Sequence, residues 1–216
     1  MLFRSGRNYR GLKSFDPDLA KSISHLFPYH CTCYFIRAKI TEEKSMNIVI
    51  IGYRAAGKST VGNLVSQRLG WPCLDIDRGI EERCQMTLAE FWRQDPEYFR
   101  TVETEVVIEM CRQDQKVISF GAGSLMKQAN QEAACHNSLV VYLQTSVEEL
   151  WRRIQADPGS TANRPNLSRG GIEEVAEMLA AREPVYLRCA DLILDATLPP
   201  DQLATAITSA CESTPG

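Results

Sequence analysis

The chain reads as an α/β domain in three layers, a five-stranded parallel sheet flanked by helices. Two patterns predict this. Five short apolar runs, at 47–51, 72–77, 116–120, 139–143 and 192–194, alternate with segments of helical periodicity. The runs are also nearly continuous rather than alternating, as in Asn47-Ile48-Val49-Ile50-Ile51, which suits strands buried on both faces. A third observation fixes the order of the first unit. The stretch Gly52-Tyr53-Arg54-Ala55-Ala56-Gly57-Lys58-Ser59-Thr60 stands between the first strand and the first helix and fits G-x-x-x-x-G-K-[ST].

Composition agrees with one such domain. The chain has 216 residues, 44% of them hydrophobic, with a formal net charge of -3, ordinary values for a soluble globular protein. The weakly acidic balance gives no electrostatic reason to expect a nucleic-acid partner, and no apolar run reaches the length of a membrane span. The eight cysteines lack the paired spacing of a disulfide framework, and Cys31-Thr32-Cys33 has no second pair to complete a zinc site. Free, largely buried thiols in a reducing cytoplasm are expected. Residues 1–45 differ in character: Arg4, Arg7, Arg10 and Lys13 precede the first acid, Asp16, and no hydrophobic period is sustained. They are read as an amino-terminal extension, disordered or the product of a mis-assigned start, with targeting or regulation as the other readings. The folded domain is expected over 46–216, because Met46 stands directly before the first strand.

Within that domain the glycine segment reads as a site for a nucleoside triphosphate. Gly52 and Gly57 let the backbone curl so that successive N–H groups face an anion, and the following helix start adds its free N–H groups. Ala55, Ala56 and Thr60 belong to the same cradle, Lys58 would bridge the outer phosphates, and the Ser59 hydroxyl would hold Mg²⁺. The first helix carries Val61, Leu64, Val65 and Leu69 on one face and stops at Gly70-Trp71-Pro72. The second strand, over 72–77, ends in Asp75 and Asp77, and alternation puts both acids on one side at a carboxyl end, where ligands gather. Asp75 suits support of Mg²⁺ and Asp77 suits substrate hydroxyls; an N-cap pair opening the next helix is the plainer alternative.

Residues 86–111 are helical with a break at Asp95-Pro96, and Arg100 and Glu103 are spaced to pair. The third strand ends in Gly121-Ala122-Gly123. Ser146-Val147-Glu148-Glu149 has the form of a capping box and opens a helix through Ile154. Residues 156–171 are rich in glycine, proline and asparagine and are expected to be a mobile lid, with Arg164 set in extended backbone before Pro165. A helix from Ile172 to about Ala180 then leads to Arg182-Glu183-Pro184-Val185-Tyr186, and the last helix is expected over 200–210.

From about Met46 to its end the sequence resembles the shikimate kinases, small phosphate-loop enzymes related to the nucleoside monophosphate kinases. The resemblance rests on an ordered set: the glycine loop, Asp75-Ile76-Asp77, Phe99-Arg100 with Glu103, Gly121-Ala122-Gly123, Arg164-Pro165, and Arg182 with Pro184 and Tyr186. It implies transfer of phosphate from ATP to the 3-hydroxyl of shikimate, a step toward chorismate and the aromatic amino acids, with Mg²⁺ and by a cytoplasmic monomer. It further implies that Arg100 and Arg182 bind the acceptor carboxylate, that Asp77 binds ring hydroxyls and serves as base, and that Gly121, Ala122 and Gly123 contact the substrate. Trp92 and Phe99 would wall the pocket, Lys58 and Arg164 would act on the moving phosphoryl group, and Arg153 and Pro199-Pro200 would lie near adenine. Two rivals stand beside this, a gluconate-type kinase on the same fold and a non-catalytic binding module. The family has glycine where this chain has Ala122; a positive φ there would cost on the order of 1–2 kcal/mol.

Overall fold

Strand β1 (Asn47–Ile51) is buried along its whole length. Successive residues of a strand point to opposite faces, so this burial requires cover on both sides of the sheet. The computed structural model describes residues 46–157 and 171–212, all within one compact unit, and gives the reason for that burial. The other strands are β2 (Cys73–Asp75), β3 (Val117–Ser119), β4 (Ser138–Gln144) and β5 (Leu192–Asp195), in the order β2-β3-β1-β4-β5. All four pairings are parallel, with Ile48 opposite both Val117 and Leu139. Asn47 opens β1 with a polar side chain that is fully used. Its Oδ1 accepts from the Lys116 N–H at 2.9 Å, and its Nδ2 donates to the carbonyls of Cys111 and Gln113.

The helices are α1 (Lys58–Leu69), α2 (Ile76–Cys84), α3 (Leu88–Gln94), α4 (Pro96–Cys111), α5 (Gln128–Cys135), α6 (Val147–Ala156), α7 (Gly171–Cys189) and α8 (Pro200–Glu212). Helix α1 packs against α8, α2 against α4 and α6 against α7. Local chemistry explains most boundaries. Gly70 ends α1 in the left-handed conformation at φ 68°. Thr87 and Glu90 form a reciprocal capping box on α3, and Asp95 caps α4 with Pro96 in its first turn. The break expected at Asp95-Pro96 is there.

Four expectations need correction. The second strand does not run to residue 77: it stops at Asp75, whose side chain accepts from the Asp77 and Arg78 N–H groups and so starts α2. Asp77 is therefore helical, and the alternation argument for the two acids fails; capping wins over extension. The helix expected to end near Ala180 continues to Cys189 with Pro184 inside it. Burial of Val175, Leu179, Tyr186 and Cys189 outweighs the lost proline N–H. The box at Ser146 is half formed. Ser146 accepts from the Glu149 N–H, while the Glu149 carboxylate goes to Arg152 and Arg153. A short 3₁₀ turn (Ser124–Met126) and α5 were not foreseen. The readings of residues 1–45, of the lid over 158–170 and of Arg164 lie outside the described residues. The six cysteines among the described residues are free thiols, as expected. Burial pushes the Cys111 thiol up to about 12.

Candidate active site

The turn from β1 into α1 needs unusual backbone. Gly52 has φ 147°, Gly57 φ 94° and Ala55 φ 62°. A side chain on Gly52 would stand 2.8 Å from the Leu143 carbonyl oxygen, so space and dihedral both demand glycine there. Gly57 precedes α1 without a side-chain cap, which leaves the first N–H groups of the helix, including those of Ser59 and Thr60, available to an anion. The Lys58 ammonium folds back over the loop, donating to the Tyr53 carbonyl at 2.8 Å. Ala56 donates to the same oxygen.

Beside the loop, the Ser59 hydroxyl donates to Asp75 Oδ2 at 3.1 Å, while Asp75 Oδ1 caps α2. The carboxylate thus fixes a helix start and faces the phosphate loop at once. A hydroxyl and a carboxylate this close form a set of hard oxygen donors that fits Mg²⁺. Arg153 borders the other side. Its Nη2 donates to the Ala196 carbonyl at 2.7 Å, and its Nη1 approaches the Ala55 and Ala56 carbonyls at 3.4 and 3.5 Å. It joins the loop to the turn that runs through Pro199 into Pro200, the first residue of α8. Hydrogen bonds from Arg152 and Arg153 hold the Glu149 carboxyl down to about 2.

A cavity of about 120 Å³ opens next to the loop, lined by Tyr53, Arg54, Asp77, Arg100, Ala122 and Arg182 among others. Trp92 and Phe99 form part of its wall. The Arg100 guanidinium lies 4.8 Å from the Trp92 ring centre and 5.3 Å from that of Phe99. The pair expected from spacing is present: Arg100 Nη1 donates to Glu103 Oε2 at 2.6 Å. Glu103 is buried, and its other oxygen accepts from the Ser124 hydroxyl at 2.8 Å. Arg100 is thereby held in one orientation by a carboxylate that is itself held.

The turn after β3 explains its two glycines. A Cβ on Gly121 would lie 2.5 Å from Asp77 Oδ1, and one on Gly123 would lie 3.1 Å from Arg100 Nη2. Both residues make room for the functional side chains beside them. Ala122 between them is not among the residues of positive φ, so the anticipated strain does not arise. Its carbonyl accepts from the buried Tyr186 hydroxyl. From α7 comes Arg182, 5.6 Å from the Tyr53 ring centre, with no carboxylate at salt-bridge distance among the described residues. Next to it, Glu183 accepts from the Tyr142 hydroxyl at 3.0 Å and from Gln144 Nε2 at 2.8 Å, which ties α7 to the carboxyl end of β4. Burial, and after it Glu183, push the Tyr142 phenol far up.

The sequence-predicted residues on described elements therefore meet at one edge of the sheet. Gly52, Ala55, Ala56, Gly57, Lys58, Ser59, Thr60, Asp75 and Arg153 gather at the loop, and Asp77, Arg100, Gly121, Ala122, Gly123 and Arg182 around the cavity. Sequence reasoning missed Arg54, Glu174 and Ser124. The first carried a signal, a cation at a variable position of a glycine loop; the other two are joined to the site only by folding.

The family whose sequence model is described as shikimate kinase matches residues 54–212. Shikimate kinase 2 of Photorhabdus laumondii is 36% identical over 162 residues, 74% of this chain and 92% of that protein. Shikimate kinase of Rhodopirellula baltica is 31% identical over 178 residues, 81% of this chain and 95% of that one. Among solved structures, a shikimate kinase from Acinetobacter baumannii in complex with shikimate superposes with a TM-score of 0.72 at 30% identity, covering 78% of this chain and 94% of that one. A deoxyadenosine kinase from M. mycoides with bound dCTP, with a TM-score of 0.54 at 18% identity, shares the fold.

Proposed function

The chain belongs to the shikimate kinase family, and from that premise we propose that it transfers the terminal phosphoryl group of ATP to the 3-hydroxyl of shikimate, giving 3-phosphoshikimate and ADP. One observation carries the reading: Tyr53 and Arg54 of the phosphate loop line the same cavity as Arg100, Arg182 and Asp77. A donor cradle and a guanidinium-lined acceptor pocket thus share a wall, and in-line transfer needs that adjacency.

In this mechanism the loop amides and the start of α1 hold the phosphates, and Lys58 neutralises charge that develops on the transferred group. Arg164 serves the same charge from the segment after α6. Arg100 and Arg182 hold the acceptor carboxylate through charge-assisted hydrogen bonds. The acceptor oxygen forms its bond to the terminal phosphorus as the bond from that phosphorus to the ADP oxygen breaks. The hydroxyl proton passes to Asp77, whose carboxylate orients the attacking oxygen; a weak base suffices, because phosphoryl transfer depends chiefly on positioning and charge. The backbone of Gly121, Ala122 and Gly123 borders the bound ring, and Arg153 and the turn at Pro199-Pro200 border the adenine. Ser59 and Asp75 would hold Mg²⁺, which when bound offsets negative charge on the phosphates.

We place the enzyme in the cytoplasm as a monomer. The free thiols support that setting, and no helix among the described residues is long and apolar enough to cross a membrane. The non-catalytic alternative drew on Ala122 and on the amino-terminal segment, and the unstrained backbone at Ala122 removes the first of these motives. The deciding experiment is ADP release with Mg-ATP and a panel of shikimate, gluconate and nucleoside monophosphates. Release with shikimate alone is expected; turnover of another acceptor without shikimate would sink the assignment.

A further inference from the structure

Arg54 occupies a position of the glycine loop where the phosphate-binding pattern requires no charge. Its side chain is nine-tenths buried and only loosely paired, with the buried Glu174 carboxylate at the limit of salt-bridge distance and the Tyr53 phenol beside it. Nη2 comes no nearer than 4.0 Å to Oε1 of Glu174, and the buried Nε has no hydrogen-bond partner among the described residues. Arg100, by contrast, is matched to Glu103 at 2.6 Å. A buried cationic N–H without an acceptor is costly, so such a group signals an absent partner.

The position of Arg54 identifies that partner. Arg54 lines the cavity together with Asp77, Arg100 and Arg182. Its guanidinium carbon is 5.9 Å from the Tyr53 ring centre, and that of Arg182 is 5.6 Å from the same ring. Two cations thus border one tyrosine at the cavity wall; Arg54 has the Glu174 carboxylate at 4.0 Å, and Arg182 has no carboxylate at salt-bridge distance among the described residues. Like charges so placed repel, and an anion bound beside both relieves the repulsion.

We propose that Arg54 is a third guanidinium of the acceptor site, which binds the acceptor carboxylate together with Arg182 and sets specificity for a carboxylated substrate. This rests on the acceptor reading given above. Arg54 then counts among the substrate-binding residues, although it is carried by the loop that cradles phosphate, and a single loop contacts both substrates.

The test pairs full-length wild type, Arg54→Met and Arg54→Lys with two acceptors, shikimate and its carboxamide. Arg54→Met should raise KM for shikimate about tenfold or more, with KM for ATP and kcat within roughly twofold, and Arg54→Lys should recover part of the loss. On the carboxamide, Arg54→Met should add little to the loss already seen in wild type, because both changes remove one interaction. Calorimetric binding of the two acceptors without nucleotide should repeat the pattern, which covers a variant whose phosphate loop is disturbed. Equal losses on both acceptors would reduce Arg54 to a packing role, and a change confined to ATP would assign it to the phosphates; either overturns the inference. Wild type inert toward shikimate would instead sink the functional assignment, whereas an active wild type with an unaltered Arg54→Met variant would sink this inference alone.

Discussion

The two halves of the site are built in different ways. The phosphate half is one stretch of backbone, residues 52–60, shaped by dihedral angles and by the close approach of Gly52 to the Leu143 carbonyl. The acceptor half is an assembly of side chains from α2, α4, the turn after β3 and α7. Several of its members are held by a further residue: Arg100 by Glu103, Glu103 by Ser124, the Ala122 carbonyl by Tyr186. A backbone cradle is indifferent to most side-chain changes around it and intolerant of a wrong φ. A side-chain pocket tolerates backbone variation and fails when a charge or its support is removed. The two halves should therefore break in different kinetic constants.

The largest effect belongs to Lys58, the one charged side chain that the cradle pattern itself requires. Lys58→Ala should lower kcat on the order of 10³-fold while KM for shikimate changes little. Full activity in that variant would remove the phosphate role. Asp75 comes next, because it serves both capping and charge through different oxygens. Asp75→Asn keeps an N-cap acceptor and loses the charge beside Ser59, so turnover should fall by at least about tenfold with stability nearly unchanged. Asp75→Ala should lose the same turnover and about 1 kcal/mol of stability as well, read by denaturant unfolding. Equal stability in the two variants would mean that the cap is idle.

The two glycines after β3 sharpen the contrast inside the acceptor half. Alanine at Gly121 would press against the Asp77 carboxylate, and alanine at Gly123 would press, less severely, against the end of the Arg100 side chain. Gly121→Ala should act mainly on kcat, because it displaces the group that orients the attacking hydroxyl. Gly123→Ala should raise KM for shikimate several-fold with a smaller change in kcat. Steady-state kinetics with shikimate varied at saturating Mg-ATP would separate them, and the reverse assignment would mean that Asp77 and Arg100 have exchanged roles.

The same division explains what could be read from the chain. The cradle was legible because its physics is contiguous: strand, glycine loop and helix start lie within 47–69. Strand positions followed from apolar runs for the same reason, although the second strand stops short of the expected residue 77, and the order of the strands in the sheet was not among the expectations. The cavity was legible only through the ordered motif set, since no local rule links Asp77 to Gly121 or Arg182 to Tyr53. Where local rules competed, the wrong one could be chosen. Asp75 satisfied both a strand-end and a cap pattern, and the cap prevailed because its carboxylate meets two orphan N–H groups. The helix expected to end near Ala180 runs on through Pro184 because the burial of Tyr186 and Cys189 beyond it is a tertiary fact. Glu174, nearly buried against Arg54, carried no signal at all.

The smallest effect is the most discriminating. Ala122 departs from the family at the centre of the acceptor half, and backbone strain was the physical ground for expecting weaker binding. Its φ is not positive, so Ala122→Gly relieves nothing. The residue is nearly buried, with its carbonyl fixed by Tyr186, and glycine there would add conformational freedom to the unfolded chain. Ala122→Gly should therefore lower stability by about 0.4–1 kcal/mol and leave KM for shikimate within roughly twofold. A tenfold gain in affinity would instead mean that the methyl group obstructs the ring, and that this pocket is limited by shape at Ala122 rather than by the charges around it.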